Sequence, residues 1–161
     1  MLDQATLKKY LQYDPETGVF THIKSRRGVR MGDVVGTLRS DGYLRMALNG
    51  KHYYAHRLAW FYIHGVFLKE MDHINGIRND NRLCNLREST AQQNTWNRTK
   101  RSDNTSGYKG VWFKKSTNKW TSQIMDIDKR KHLGYFKTPE EAHHAYQQAA
   151  KQLHGEFFKE P

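Results

Sequence analysis

The sequence holds a single cysteine, Cys84, so an intrachain disulfide is excluded and a zinc site of the finger or ribbon kind has no set of thiolates to build on. Nine histidines remain as ligands. Pairs such as His52 and His56, or His143 and His144, have no third member at a recognised spacing, and no zinc is expected. Long apolar runs, a signal peptide and a basic amphipathic anchor are also missing, which argues against a membrane and for an intracellular, cytoplasmic protein. Acidic residues are scarce beside basic ones. Sixteen Asp and Glu face 27 Lys and Arg, a formal charge of +11 over 161 residues. Such a surplus attracts polyanions and releases their counterions on binding, so nucleic acid is the expected partner.

What is present suffices for folding. Hydrophobic residues make up 37% and aromatics 12%, enough apolar surface for one ordinary domain or two small ones. Leu2, Leu7, Tyr10 and Leu11 give residues 1 to 13 a helical spacing, and Asp14-Pro15-Glu16-Thr17-Gly18 reads as a turn. Strands are expected at Val19 to Ile23, Val34 to Leu38, Tyr43 to Leu48 and Lys51 to Ala55, with Asn49-Gly50 as a hairpin turn. From His56 the pattern becomes helical, and Gly65 is its stop. Thr90 to Gln93 fits a capping box for a second helix running towards Arg98. Residues 98 to 107 are polar and basic, and the domain boundary is placed there. Three strands should follow, near Lys109 to Lys114, Trp120 to Ile127 and Lys131 to Phe136. Thr138-Pro139-Glu140-Glu141 then opens a helix that Gly155 ends.

Chemistry concentrates between Asp72 and Asn94. The stretch reads as strand, polar loop, return strand and helix. In such a unit the carboxylate of Asp72 and the amide oxygen of Asn94 are hard ligands that can converge on one magnesium or manganese ion. His73 points to the opposite strand face. A neutral imidazole there can take a proton from water at physiological pH, and the water oxygen can attack a phosphodiester. Asn85 either holds the loop or orients His73. Asn79, Asp80 and Asn81 read as loop formers, and His56 as a histidine at the helix start that supports the site. Among Arg57, Arg78, Arg82 and Arg87, Arg78 is the one expected to touch phosphate.

His56-Arg57-Leu58, Asp72-His73-Ile74-Asn75-Gly76, Asp80-Asn81-Arg82, Asn85-Leu86-Arg87 and Asn94 resemble the HNH endonuclease family, above all its phage and intron-encoded homing members, across roughly residues 51 to 98. The resemblance implies a ββα-metal fold with one divalent ion per active site, His73 as general base, Asp72 and Asn94 as ligands and Asn85 as the structural asparagine. Many relatives carry histidine as the last ligand where this chain has Asn94.

Beyond the boundary, Arg98, Lys100, Arg101, Lys109, Lys114, Lys115 and Lys119 face one acid, Asp103. Trp112, Phe113 and Trp120 are interleaved with them, an arrangement suited to laying cations on phosphates and rings on sugars or bases. At least one tryptophan is expected to be core. Ser106 to Trp112, Lys119-Trp120, His132 to Phe136, Glu140 to Ala142 and Ala149 to Gly155 resemble the plant Apetala-type, or ethylene-response-factor, DNA-binding domain. That resemblance implies a three-stranded antiparallel sheet in the major groove with a helix behind it.

The expected protein is therefore of α+β class. A β-rich segment over 1–50 packs on an HNH unit over 51–98, a linker covers 99–105, and an Apetala-type domain covers 106–161. The expected activity is metal-dependent hydrolysis of double-stranded DNA. A monomer suits a nick and a dimer a double-strand break. The rivals are a non-catalytic DNA-binding regulator derived from such a nuclease, against which intact Asp72, His73 and Asn94 argue, and an RNA-cleaving protein.

Overall fold

The computed structural model describes residues 2–96, 104–126 and 129–158. The chain divides into two compact units, Met1–Thr90 and Ala91–Pro161. This division falls ahead of the polar stretch in which the sequence places its boundary.

In the first unit, α1 (Gln4–Tyr10) starts on Asp3, whose carboxylate accepts from the Thr6 amide at 2.7 Å and fills one of the donors a helix start leaves unpaired. The helical spacing read through residue 13 stops earlier than expected. Leu11 and Tyr13 alternate with exposed neighbours in β1 (Leu11–Asp14), which forms a hairpin with β2 (Val19–His22). A three-stranded antiparallel sheet follows, in the order β3 (Thr37–Leu38), β4 (Leu44–Leu48), β5 (Lys51–Tyr54). The strand expected from Val34 shrinks to Thr37–Leu38, and Val34 itself bridges back to Thr21. Asn49 and Gly50 both take positive φ, 50° and 72°, as the tight β4–β5 turn demands.

Helix α2 (Ala55–His64) ends on Gly65 at φ 73°, whose N–H returns to the Phe61 carbonyl. Gln4 supports the same end, with Nε2 donating to the Tyr62 carbonyl at 2.8 Å. Two short strands, β6 (Met71–His73) and β7 (Leu86–Glu88), pair antiparallel and complete the unit. Leu7, Leu11, Phe20, Met46, Leu58 and Leu86 share one core. The N-terminal β-rich segment and the strand that follows the Asn-rich loop are thus one folding unit.

The second unit begins with α3 (Ala91–Trp96). Trp96 stacks on His154 with ring centroids 4.3 Å apart and a 10° interplanar angle, and this packing draws the helix into the unit. Strands β8 (Val111–Lys114), β9 (Lys119–Met125) and β10 (Arg130–Phe136) form an antiparallel sheet in the order β10-β9-β8. Helix α4 (Pro139–His154) lies against it, with Ile124 of β9 buried beside Tyr146 and Ala150. The capping box read from Thr138 and Glu141 is formed in both directions. Thr138→Ala should cost about 1 kcal/mol, visible as faster amide exchange along α4.

Candidate active site and sheet face

The loop joining β6 to β7 is rich in Asn and Asp because short polar side chains there replace ladder bonds. Asn75 Oδ1 accepts from the Ile77 amide at 2.8 Å, and Asn75 Nδ2 donates to Asp80 Oδ2 at 2.6 Å. Asn85, 5% exposed, accepts from the Asn75 amide at 2.9 Å and donates to the Asp80 carbonyl at 2.7 Å. Of the two roles open to Asn85, the loop-holding one is therefore seen. Arg82 chelates Asp80 through Nε at 2.8 Å and Nη2 at 2.6 Å, which holds that carboxyl down at about 2.

Register places Asp72 opposite Arg87 and His73 opposite Leu86, so adjacent side chains leave β6 on different faces. Asp72 Oδ2 accepts from Arg87 Nη2 at 2.7 Å and Nε at 3.1 Å. A cation taken by Asp72 would share that carboxylate with the guanidinium. His73, 6% exposed, turns inward, with Nε2 3.3 Å from Asn81 Oδ1 and the ring edge-on to His56 at 5.1 Å and 76°. The His56 ring is stacked on Tyr54 at 5.6 Å, and Tyr43 lies 5.2 Å from it.

His56 Nδ1 is buried and meets no hydrogen-bond partner among the described residues. Burial first, then the neighbouring His73 and Arg57, pushes its pKa down to about 3. Between the ordinary imidazole value and that depressed one, the unfolded chain binds a proton that the folded chain refuses. Stability of the first unit should therefore fall as pH drops below about 6.5, by at most about 1.4 kcal/mol per pH unit. Denaturant unfolding followed by amide exchange in α2 should show the slope in the wild type and a flatter one in His56→Gln.

Arg78 Nη1 donates to the Asp41 carbonyl at 2.8 Å, and the guanidinium lies 5.2 Å over the Tyr43 ring. The arginine expected at phosphate thus also secures the β3–β4 loop.

Asn94 lies on α3, in the second unit. In the sheet of that unit, alternation sends Val111, Phe113, Trp120, Ser122 and Ile124 towards α4, and Trp112, Lys114, Thr121, Gln123, His132 and Tyr135 to the other face. Trp120 meets Phe113 edge-on at 5.2 Å and is the tryptophan on the packed side. Trp112 is 38% exposed. Lys114 Nζ donates to the Tyr135 hydroxyl at 2.9 Å, while Lys115 and Lys119 stand exposed around the β8–β9 turn. Lys109 turns the other way and donates to the Trp96 carbonyl, and burial lowers its pKa. It meets α3 at its last described residue, where an ammonium is favourably placed against a backbone carbonyl. Arg98, Lys100 and Arg101 lie outside the described residues.

Residues 53–95 match the family model described as HNH endonuclease, and residues 106–156 match the AP2 domain model. The chain carries an HNH endonuclease domain and an AP2 domain. No curated protein matches it. A solved structure of DNA binding and cleavage by the HNH homing endonuclease I-HmuI is similar at 20% identity and a TM-score of 0.46, over 89% of this chain and 76% of that one. The HNH match takes in β6, the loop, β7 and most of α3, so the nuclease domain by sequence crosses the division between the compact units. Nuclease action is the coarse function these domains assign.

Three features of this HNH–AP2 chain escaped the reading of the sequence. Asn81, taken as a loop former, carries the amide that faces His73. Tyr13, from the first hairpin, donates its hydroxyl to the Asn81 carbonyl at 2.7 Å. Lys24, Arg26, Arg27 and Arg30 stand exposed on a loop closed by reciprocal Arg26–Val29 bonds of 2.9 Å, and none makes an ion pair among the described residues. The density of cations between 24 and 30 was the available signal for that loop; nothing local marked Asn81.

Proposed function

We propose that the chain is a metal-dependent endonuclease that hydrolyses one phosphodiester bond in double-stranded DNA, a nicking enzyme of the homing kind acting as a monomer in the cytoplasm. The observation that carries this reading is the placement of His73. Its ring is buried, held between an amide and a second imidazole, and set beside Asp72 on opposite faces of one strand.

In its neutral form His73 takes a proton from water, and the water oxygen bonds to phosphorus as the bond from phosphorus to the 3′ oxygen breaks. The products are a 5′-phosphate and, once the departing oxygen is protonated, a 3′-hydroxyl. Asp72 and Asn94 offer a carboxylate and an amide oxygen, hard donors that fit magnesium or manganese, which take one or two carboxylates and complete their shell with water and phosphate. Such an ion, one per active site, would neutralise charge on the phosphate and the departing oxygen. Asn85 keeps the loop folded so that Asp72 and His73 stay on their strand. Trp112 and Lys114 on the open sheet face, with Lys115 and Lys119 at its rim, suit the duplex. Lys100, Arg98 and Arg101 add positive charge along the connecting sequence, and Arg78, Lys109 and Trp120 contribute through the loop, helix and sheet they support. No helix among the described residues is long and apolar enough to cross a membrane.

Supercoiled plasmid incubated with the full chain and magnesium or manganese should convert to open circles carrying 5′-phosphate at the nick, and a chelator should stop the conversion. Preferential cutting of single-stranded or duplex RNA would overturn the DNA assignment. Binding without any cutting would leave the regulator reading in its place.

A further inference from the structure

We propose that Asn81 is a positioning residue that fixes which nitrogen of His73 carries the proton and hence which one acts as the base. The proposal rests on the reading of His73 as general base and extends the site into a part of the loop to which no role is assigned.

The carboxamide of Asn81 has one orientation that satisfies its neighbours. One end lies 3.2 Å from the Asn79 carbonyl, which can accept a hydrogen bond and cannot donate one. That end must be the amide nitrogen, so the oxygen faces His73 Nε2 at 3.3 Å. An amide oxygen is an acceptor, and the ring nitrogen facing it must carry the hydrogen. Neutral His73 is then the Nε2–H tautomer, with its lone pair on Nδ1. The same contact disfavours rotation of the ring about its bond to Cβ, and His56 bears edge-on against it.

Asn81 is itself held more firmly than a loop residue needs to be. It is 2% exposed, and its carbonyl takes the hydroxyl of Tyr13, 5% exposed, at 2.7 Å. Gly18, at φ 73°, lies so close to the Asn81–Arg82 peptide that a Cβ built on it would stand 2.5 Å from the Asn81 carbonyl carbon. The β1–β2 hairpin, which lies outside the matched HNH stretch, therefore locates the amide that locates the base.

The experiment reads the imidazole nitrogens directly. In the full chain labelled with ¹⁵N-histidine, at a pH above the ordinary imidazole range, long-range ¹H–¹⁵N correlations should show His73 as the Nε2–H tautomer. Asn81→Leu, close in volume and without an acceptor, should lose that signature and lower kcat for nicking by roughly 10- to 100-fold with little change in KM. Asn81→Asp, which keeps an acceptor, should retain the signature and most of the activity. In a His73→Ala background, Asn81→Leu should cost nothing further. An Nδ1–H tautomer in the wild type overturns the proposal without recourse to any variant. So does an unchanged tautomer in Asn81→Leu, or equal losses in the Leu and Asp variants. Should the tautomer behave as expected while His73→Ala nicks at full rate, Asn81 still orients the ring and the assignment of the base is what falls.

Discussion

His73→Ala is expected to slow nicking by about 10²- to 10⁴-fold, the usual contribution of a positioned general base, while binding to duplex DNA is unchanged. The side chain leaves β6 opposite Leu86, and the backbone ladder with β7 does not depend on it. Its removal opens a gap beside His56, Tyr43 and Asn81, whose own fixings are largely independent. His56 stays stacked on Tyr54, and Asn81 keeps its bonds from Tyr13 and to Asn79. The loss should therefore appear in the chemical step rather than in folding or affinity. Plasmid conversion and gel retardation on one preparation separate the two. Asp72→Asn makes a useful companion: if Asp72 serves the ion, raising the manganese concentration should recover part of its activity, and no concentration should recover His73→Ala. Equal nicking by wild type and His73→Ala would remove the base from the mechanism.

Much of this arrangement could be read from spacing, because it depends on local rules. Period-two alternation separates Asp72 from His73, an Asn-Gly pair closes the β4–β5 hairpin, and a Thr-Pro-Glu-Glu run starts α4. Each involves residues a few positions apart. What remained hidden depends on contacts across long stretches of chain. The choice between Asn81 and Asn85 as the partner of His73 is made by how the loop folds back. The hydroxyl that secures Asn81 comes from Tyr13, 68 positions away. Most of helix α3 falls within the HNH match by sequence, and what the sequence did not show is that Trp96 stacks on His154 and that its carbonyl takes Lys109. Nothing near Lys109 in sequence announces that its ammonium reaches the Trp96 carbonyl, 13 positions back. Trp112 and Trp120 were indistinguishable by composition; only the register of β8 with β9 assigns one to each face.

The reach of the first hairpin into the site gives the largest expected effect on stability. Gly18 and Gly28 have nearly the same backbone, φ 73° and 75°, but different surroundings. A Cβ at Gly28 would meet nothing within 4 Å, whereas at Gly18 it would stand 2.5 Å from both Arg82 N and Asn81 C. Gly28→Ala therefore measures the left-handed backbone alone, about 1–2 kcal/mol. Gly18→Ala carries that cost and also forces two backbones apart, for a total of about 2–5 kcal/mol, a large fraction of what a small domain has. Backbone atoms cannot swing aside as a side-chain tip can, so the relief must come from moving the β1–β2 turn or the 81–82 peptide. Either movement loosens the Tyr13–Asn81 bond. Gly18→Ala should thus lower the denaturation midpoint of the first unit well below that of Gly28→Ala. At temperatures where both variants remain folded, it alone should also slow nicking. Equal midpoints for the two variants would mean that the hairpin does not press on the loop, and that Asn81 is held by Tyr13 and its own loop without help from Gly18.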